Sequence, residues 1–410
     1  MKKYIIASLA GLISLASCNK EVNNKLTDGK WRGEFSVSDQ KFPFLFDVVN
    51  AATDSATVYL VNGTERVPLK GVRYSSDTII IPIEAYDAEL RGVFNNGKFD
   101  GRFIKLFVEG GDEGVPFSAA KTDAPRFEKA ATPATVSLVG KWDIDFISQK
   151  GDTARNVGIF NQDGDILTGS ILTNAGDLRY LEGALTNDGF QFSAFAGLSP
   201  YLIKGQFESN DNFTGEFYTT RGVTKLIGKR NAEAALADPY SLAYMKKGFD
   251  RLDFTFPDIE GNKVSLSDPK FKDKVVIVSI LGSWCPNCLD EMEYLSPWYK
   301  ENKDRGVEII GLSFERKDDP EYVKTVLSRL VKRYDTTYDI LFAGKLGDDA
   351  TAKALPQVSK IMGYPTTIFI DKKGKVRKIH TGFNGPATGL FYEEFKQDFN
   401  KVIDELLAEK

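Results

Sequence analysis

Three cysteines occur in 410 residues, and two of them, Cys285 and Cys288, are separated only by Pro286 and Asn287. Thiols at that spacing can close a disulfide within one helical turn and exchange it with another, the thiolate being the reactive form. A helix opening at the motif would put Cys285 at its N-terminus. There the unsatisfied N–H groups and the macrodipole favour the thiolate and lower the pKa from ~8.5 into the range ~3.5–7.5. Cys285 is then the attacking thiol. Cys288, one turn deeper on the same face, is placed to resolve a mixed disulfide. Pro286 suits the first helical turn because its missing N–H has no intrahelical acceptor to lose. Glu291, three residues past Cys288, can project toward the inner thiol, where burial would raise its pKa and suit it to carry the Cys288 proton. A solvated acidic face shared with Asp290 and Glu293 is the other reading of that residue. A zinc site needs further ligands, and only Cys18 and the lone His380 remain. A c-type haem needs a His directly after the second Cys, where Leu289 stands. The alternative to redox chemistry is a static structural bridge. His380 lies in a strand pattern, reads as a structural residue near the sheet, and is given no role.

The elements around the motif are those that such a pair requires. Val275 to Leu281 is a nearly continuous apolar run, as expected for a central strand covered on both faces. It leads through Gly282-Ser283-Trp284 into a helical pattern with Leu289, Met292, Leu295, Trp298 and Tyr299 on one side, which Pro297 should kink. Further strands are expected over 307–313, 366–371 and 375–381, and helices over about 320–333 and along Phe391, Phe395, Phe399, Val402, Ile403 and Leu406. Asp371-Lys372-Lys373-Gly374 reads as a turn.

These residues carry a specific likeness. From Arg251 to Lys410 the chain resembles the thioredoxin superfamily, most closely the membrane-tethered or lipoprotein disulfide reductases related to ResA and TlpA. The likeness rests on Trp284-Cys285-Pro286-Asn287-Cys288 after a buried strand, on Glu291, and on Gly363-Tyr364-Pro365-Thr366-Thr367 before Ile368-Phe369-Ile370-Asp371. The resemblance implies a catalytic set of Cys285, Cys288, Glu291 and Pro365, with Trp284, Tyr364 and Thr366 meeting the substrate. It also implies a cis Tyr364–Pro365 bond beside Cys285 that turns the Tyr364 backbone toward an extended substrate. Two positions depart from the pattern. Ser279 stands where thioredoxins keep a buried Asp, leaving Glu291 as the obvious proton carrier, and Glu293 stands where these relatives usually have Pro. No nucleotide-binding motif is present and no cofactor is expected, so electrons would come from a membrane thiol relay. Exported proteins with disulfides would be the substrates, apocytochrome c being one class that the resemblance suggests.

Ahead of this region the pattern is antiparallel β. Between Leu26 and Arg230 short alternating runs such as Thr57 to Val61 and Thr78 to Ile81 are separated by the turn pairs Asn62-Gly63, Asn96-Gly97 and Asp188-Gly189. The run Gly29-Lys30-Trp31-Arg32-Gly33-Glu34-Phe35 recurs as Gly140-Lys141-Trp142-Asp143-Ile144-Asp145-Phe146, an offset of 111. Gly92 and Gly101 recur as Gly205 and Gly215, offsets of 113 and 114. Two tandem domains of similar fold follow from that order. The expected organisation is a multidomain chain: two tandem antiparallel β domains, 26–125 and 136–231, then a linker over 232–250 and an α/β thioredoxin-like domain over 251–410. The linker is Ala-rich and helix-permissive, interrupted by Pro239 and Gly248. The β domains show no clustered His and no concentrated acidic constellation, so they read as a spacer or docking platform, with a ligand pocket as the alternative.

The first eighteen residues carry an address. Lys2 and Lys3, an apolar run from Ile5 to Leu15 and then Leu15-Ala16-Ser17-Cys18 have the order of a secretory signal, and the closing tetrapeptide resembles a bacterial lipobox. Residues 1–17 would be removed, Cys18 would be lipidated, and 18–25 would tether the protein to a membrane facing the periplasm. That consumes one of the three cysteines and leaves Cys285 and Cys288 as the thiols of an exported chain that staples its β regions with no disulfide. A net charge of −4 provides no basic field for nucleic acid. Two other functions stay open: a thiol peroxidase, against which Gly282 three residues before Cys285 counts, and an envelope binding protein working through the β domains.

Overall fold

The computed structural model describes residues 25–409. The signal-like segment, Cys18 and most of the expected tether lie outside them. A nine-stranded antiparallel sheet comes first, formed by Gly29–Val37 (β1), Gln40–Val49 (β2), Thr57–Asn62 (β3), Glu65–Lys70 (β4), Arg73–Ser75 (β5), Thr78–Ile83 (β6), Ala88–Asn95 (β7), Lys98–Lys105 (β8) and Val115–Lys121 (β9). Its order is β4-β3-β2-β1-β9-β8-β7-β6-β5. Alternation puts Trp31, Gly33 and Phe35 of β1 inward, and Phe44, Phe46, Phe99, Phe103 and Phe117 fill the same face. The Asn96-Gly97 turn joins β7 to β8 with both residues at positive φ, as a two-residue hairpin demands.

The second sheet comprises Gly140–Ile147 (β10), Thr153–Asp163 (β11), Ile166–Thr173 (β12), Gly176–Asp177 (β13), Leu181–Leu185 (β14), Gly189–Ala194 (β15), Tyr201–Phe207 (β16), Asn212–Thr219 (β17) and Gly222–Arg230 (β18). Its order runs β11-β10-β18-β17-β16-β15-β14-β12-β13, and β11 also pairs with β12, which closes it into a barrel. The first sheet stays open between β4 and β5. The sequence echo has a physical content in both. Gly92 faces Gly101 across β7 and β8, and Gly205 faces Gly215 across β16 and β17. At Gly92 a Cβ would strike the Asp100 carbonyl. Each Trp hydrogen-bonds four residues back, Trp31 Nε1 to the Thr27 carbonyl at 3.0 Å and Trp142 Nε1 to the Leu138 carbonyl at 2.8 Å. The barrel interior is packed with Trp142, Phe160, Phe190, Phe192 and Phe213, as expected where a small barrel is filled by side chains.

The two sheets are joined by buried groups. Phe195, just past β15, inserts among Phe35, Phe44 and Phe103 of the first core, with ring centroids 4.8, 5.7 and 5.1 Å away. Its backbone N–H donates to Asn62 Oδ1 at 3.0 Å. Arg126, between the two expected β domains, is fully buried. It donates to the Pro43 carbonyl and to Ser193 Oγ, each at 3.2 Å, and pairs with Glu182 at 3.3 Å. Removing one partner of such a pair strands a buried charge.

The stretch 232–250 forms no helix, although its composition permits one. Ala234 and Ala243 are instead buried in packing contacts, Tyr240 hydrogen-bonds Asp398, and Met245 bridges Val358. Tertiary contacts override a helix preference that Pro239 and Gly248 already weaken. Beyond it Thr255–Pro257 (β19) and Lys263–Ser265 (β20) form a small hairpin, followed by Val275–Leu281 (β21), Pro286–Asn302 (α1), Val307–Glu315 (β22), Pro320–Tyr334 (α2), Asp339–Lys345 (β23), Ala350–Ala354 (α3), Thr366–Ile370 (β24), Val376–Thr381 (β25) and Leu390–Ala408 (α4). The five-stranded sheet has the order β23-β22-β21-β24-β25; β21, β22 and β23 are parallel, and β24 and β25 run antiparallel. All seven residues of β21 are buried, which is why its sequence is apolar apart from Ser279. α1 continues through Pro297 as far as Asn302.

Candidate active site

The sheet's central strand delivers the chain to the motif. After Leu281, Gly282 to Trp284 turn the chain so that Cys285 becomes the N-cap of α1 and Pro286 its first residue. Cys285 Sγ accepts the Cys288 N–H at 3.3 Å, one of the donors a helix start leaves unsatisfied. The two cysteines are paired as a disulfide with Cα atoms 5.2 Å apart. Cys288 is fully buried and Cys285 is 5% exposed, so the outer sulfur is the one that faces the surface.

Two loops frame the pair. Trp284 donates its indole N–H to the Phe314 carbonyl at 2.8 Å and meets the Tyr364 ring edge-on at 5.3 Å. The Tyr364–Pro365 bond is cis, and the Tyr364 carbonyl lies 3.4 Å from Cys285 Sγ. Thr366 is fully buried and spends its hydroxyl on the Gly363 carbonyl at 2.9 Å, holding the loop rather than facing outward.

Glu291 is 1% exposed and does not belong to a solvated face. Ser279 Oγ and Thr367 Oγ1 each donate to its carboxylate at 2.6 Å. Burial pushes its carboxyl up to about 7, against the hold of these two hydroxyls. Ser279 was singled out in the sequence as the position of a missing acid, and in the fold it serves the acid that is present. Thr367 was quoted only as part of the run from Gly363 and given no role; its signal was a second hydroxyl beside Thr366 at the start of an otherwise apolar strand. Asp290, on the neighbouring face of α1, is also buried. Burial pushes its carboxyl up to about 7, with the guanidinium of Arg179 opposing.

Three further residues to which sequence reasoning gave no role lie in or beside the motif. Glu315, the last residue of β22, is fully buried and accepts from the Ser283 N–H at 2.9 Å, from Ser283 Oγ at 2.5 Å and from Ser313 Oγ. Its carboxyl is raised by burial and held down by those donors. Asn287 donates to the carbonyls of Asp177 and Phe383, both at 3.3 Å. Arg179 reaches the Pro286 carbonyl at 3.2 Å. His380 packs between Tyr240 and Phe395, and burial pushes its pKa down to about 4, leaving a neutral ring. No group of three or more His, Cys, Asp or Glu suited to a metal ion occurs among the described residues, and none of their helices is long and apolar enough to cross a membrane.

A disulfide mounted on the first turn of the helix that leaves a central strand is how thioredoxin-like thiol-disulfide oxidoreductases present sulfur to a partner, and fold and site place the C-terminal domain in that class. Residues 250–379 match the family model described as AhpC/TSA family. The thiol-disulfide oxidoreductase ResA of Bacillus thuringiensis is 33% identical over 132 residues, which span 32% of this chain and 68% of that protein. ResA of Halalkalibacterium halodurans is 30% identical over 152 residues, 37% of this chain and 76% of its own. A solved structure described as a putative thiol:disulfide interchange protein DsbE from Chlorobium tepidum aligns with 39% of this chain and 99% of its own, at 22% identity and a TM-score of 0.31. The chain belongs to the ResA-like thiol-disulfide oxidoreductases.

Proposed function

We propose that the protein reduces disulfides of exported proteins in the cell envelope, facing the periplasm from a lipid anchor at Cys18. The observation that carries the chemical part is the surface-facing Cys285 backed by a fully buried Cys288 on the helix of the buried acid Glu291. In the reduced enzyme the Cys285 thiolate attacks one sulfur of the substrate disulfide, forming a mixed disulfide and releasing the other sulfur as a thiolate. Cys288 then gives its proton to Glu291 and attacks Cys285 Sγ, expelling the second substrate thiolate. The two released thiolates take up one proton from Glu291 and one from solvent, so the substrate gains two electrons and two protons and the enzyme is left oxidised. A membrane thiol relay restores the dithiol. Trp284, Tyr364 and Thr366 line or brace the substrate loop, and Pro365 shapes it.

In the test, Cys285→Ser abolishes insulin-disulfide reduction, while Cys288→Ser accumulates mixed disulfides that cannot resolve. Faster alkylation of Cys288 than of Cys285 at low pH would reverse the assignment. The description of the matched family model favours one second reading, a thiol peroxidase. Peroxide consumption exceeding insulin reduction in the same preparation selects it.

A further inference from the structure

The loops beside Cys285 pack against a neighbour that the thioredoxin-like domain does not supply. The hairpin of β12 and β13 has Asn174 and Ala175 at its tip, and that tip lies against Gly363 and Gly382 in the loops flanking the disulfide. A Cβ on Gly363, two residues before Pro365, would lie 2.6 Å from Ala175 Cβ, and one on Gly382 would lie 3.0 Å from the Asn174 carbonyl. Neither loop has room for a side chain where the hairpin lies. The hairpin's base is fastened as well as seated: Asp177 Oδ2 accepts the Gly385 N–H at 2.8 Å and its carbonyl accepts from Asn287. Arg179 then binds the Pro286 carbonyl and Asp290 of α1 on one side and Glu65 of the first sheet, at 2.5 Å, on the other. All three parts of the chain meet within one turn of the redox pair.

We propose that the hairpin Thr173–Asp177, latched by Arg179, is the specificity-determining element of the site. It admits small disulfides and extended segments to Cys285 and excludes bulky folded surfaces. A free thioredoxin-like face offers the outer sulfur to any protein that can lie across the 363–365 and 382–385 loops. Here those loops are partly spoken for, so a large partner reacts only in the fraction of molecules whose latch is open. The observed rate for it is scaled down by that fraction. The inference rests on the disulfide-exchange reading for its meaning, but its test does not depend on turnover.

The test is thiol access in the full chain, in a Cys18→Ser, Cys288→Ser background where Cys285 is the sole thiol. Labelling by N-ethylmaleimide is compared with labelling by a maleimide carrying a long polyethylene glycol chain. Arg179→Met, which removes the latch, raises the ratio of large-reagent to small-reagent rates about tenfold, in step with the open fraction. Asn174→Trp, which adds bulk at an exposed tip position, lowers it. A ratio unmoved in both variants overturns the proposal, and so does a change in Arg179→Met of equal size for both reagents, which would show Arg179 acting on the thiol itself. Should Arg179→Met fail to fold, the Asn174→Trp result decides alone. If the ratio moves as expected and the wild-type chain reduces neither insulin nor a small peptide disulfide, the functional reading fails and the selector stands.

Discussion

Glu291 holds a proton in the folded chain at a pH where a free carboxyl has lost it, because it is buried with only two hydroxyl donors for company. The sign of the consequence follows from linkage. Between the ordinary value near 4.5 and the folded value of about 7 the native state binds the proton and the unfolded state does not, so stability falls as pH rises through that window. The loss is on the order of 3 kcal/mol. Glu291→Gln removes this pH dependence while nearly keeping the volume. Urea unfolding of the oxidised protein at pH 5 and pH 8 should therefore show a steeper decline in the wild type than in the variant. The same change should slow turnover, since the amide cannot take the Cys288 proton. Parallel stability curves would mean that Glu291 is ionised throughout and carries no proton.

At the scale of the element, the strand-to-helix passage depends on groups the motif does not contain. β22 ends on Glu315, whose carboxylate gathers two donors from Ser283 and one from Ser313 and so fixes the turn that aims Trp284 and Cys285. Truncation leaves those donors buried without an acceptor, at about 1–3 kcal/mol each if none is rescued by water. Glu315→Ala should lower unfolding free energy by about 3 kcal/mol and slow exchange. Glu315→Gln, which keeps an acceptor oxygen, should recover most of both. Equal losses in the two variants would show that the charge matters and the geometry does not. Much of this element was legible beforehand: a nearly continuous apolar run dictates a central strand, and Cys-Pro-x-Cys after it dictates a helix start. Glu315 was not, because a lone acid closing an apolar strand looks the same whether it faces solvent or caps a neighbouring loop.

For the whole molecule, the disulfide sits where an open sheet, a closed barrel and the thioredoxin-like domain converge. The Gly and Trp echo between the β regions follows from close backbone approach at the glycine pairs and from the same indole hydrogen bond in each. Whether a sheet closes is a matter of pairing between distant strands, and that differs between the two. The proposed membrane attachment rests on Lys2 and Lys3, the apolar run from Ile5 to Leu15 and Leu15-Ala16-Ser17-Cys18. In cells, Cys18→Ser should move the protein from the membrane fraction to the soluble fraction of the envelope without changing its insulin-reducing activity. An unchanged distribution would discard the anchor.

Local order determined what the sequence could disclose by itself. The dithiol, its strand and helix, the Tyr364-Pro365 loop and the paired β regions are each written within a few neighbouring residues or in a repeat, where period, turn chemistry and capping act directly on the chain. The partners that make the site particular to this protein are far apart in the chain. Asn287 and Asp177 are 110 residues apart, Arg179 and Glu65 are 114 apart, and Thr367 is 76 from Glu291. Contacts of that range arise only when separate elements pack, and a buried Arg or Asp reads the same in sequence as a solvated one. The tertiary structure alone therefore decided which acids are buried and which hairpin stands beside Cys285.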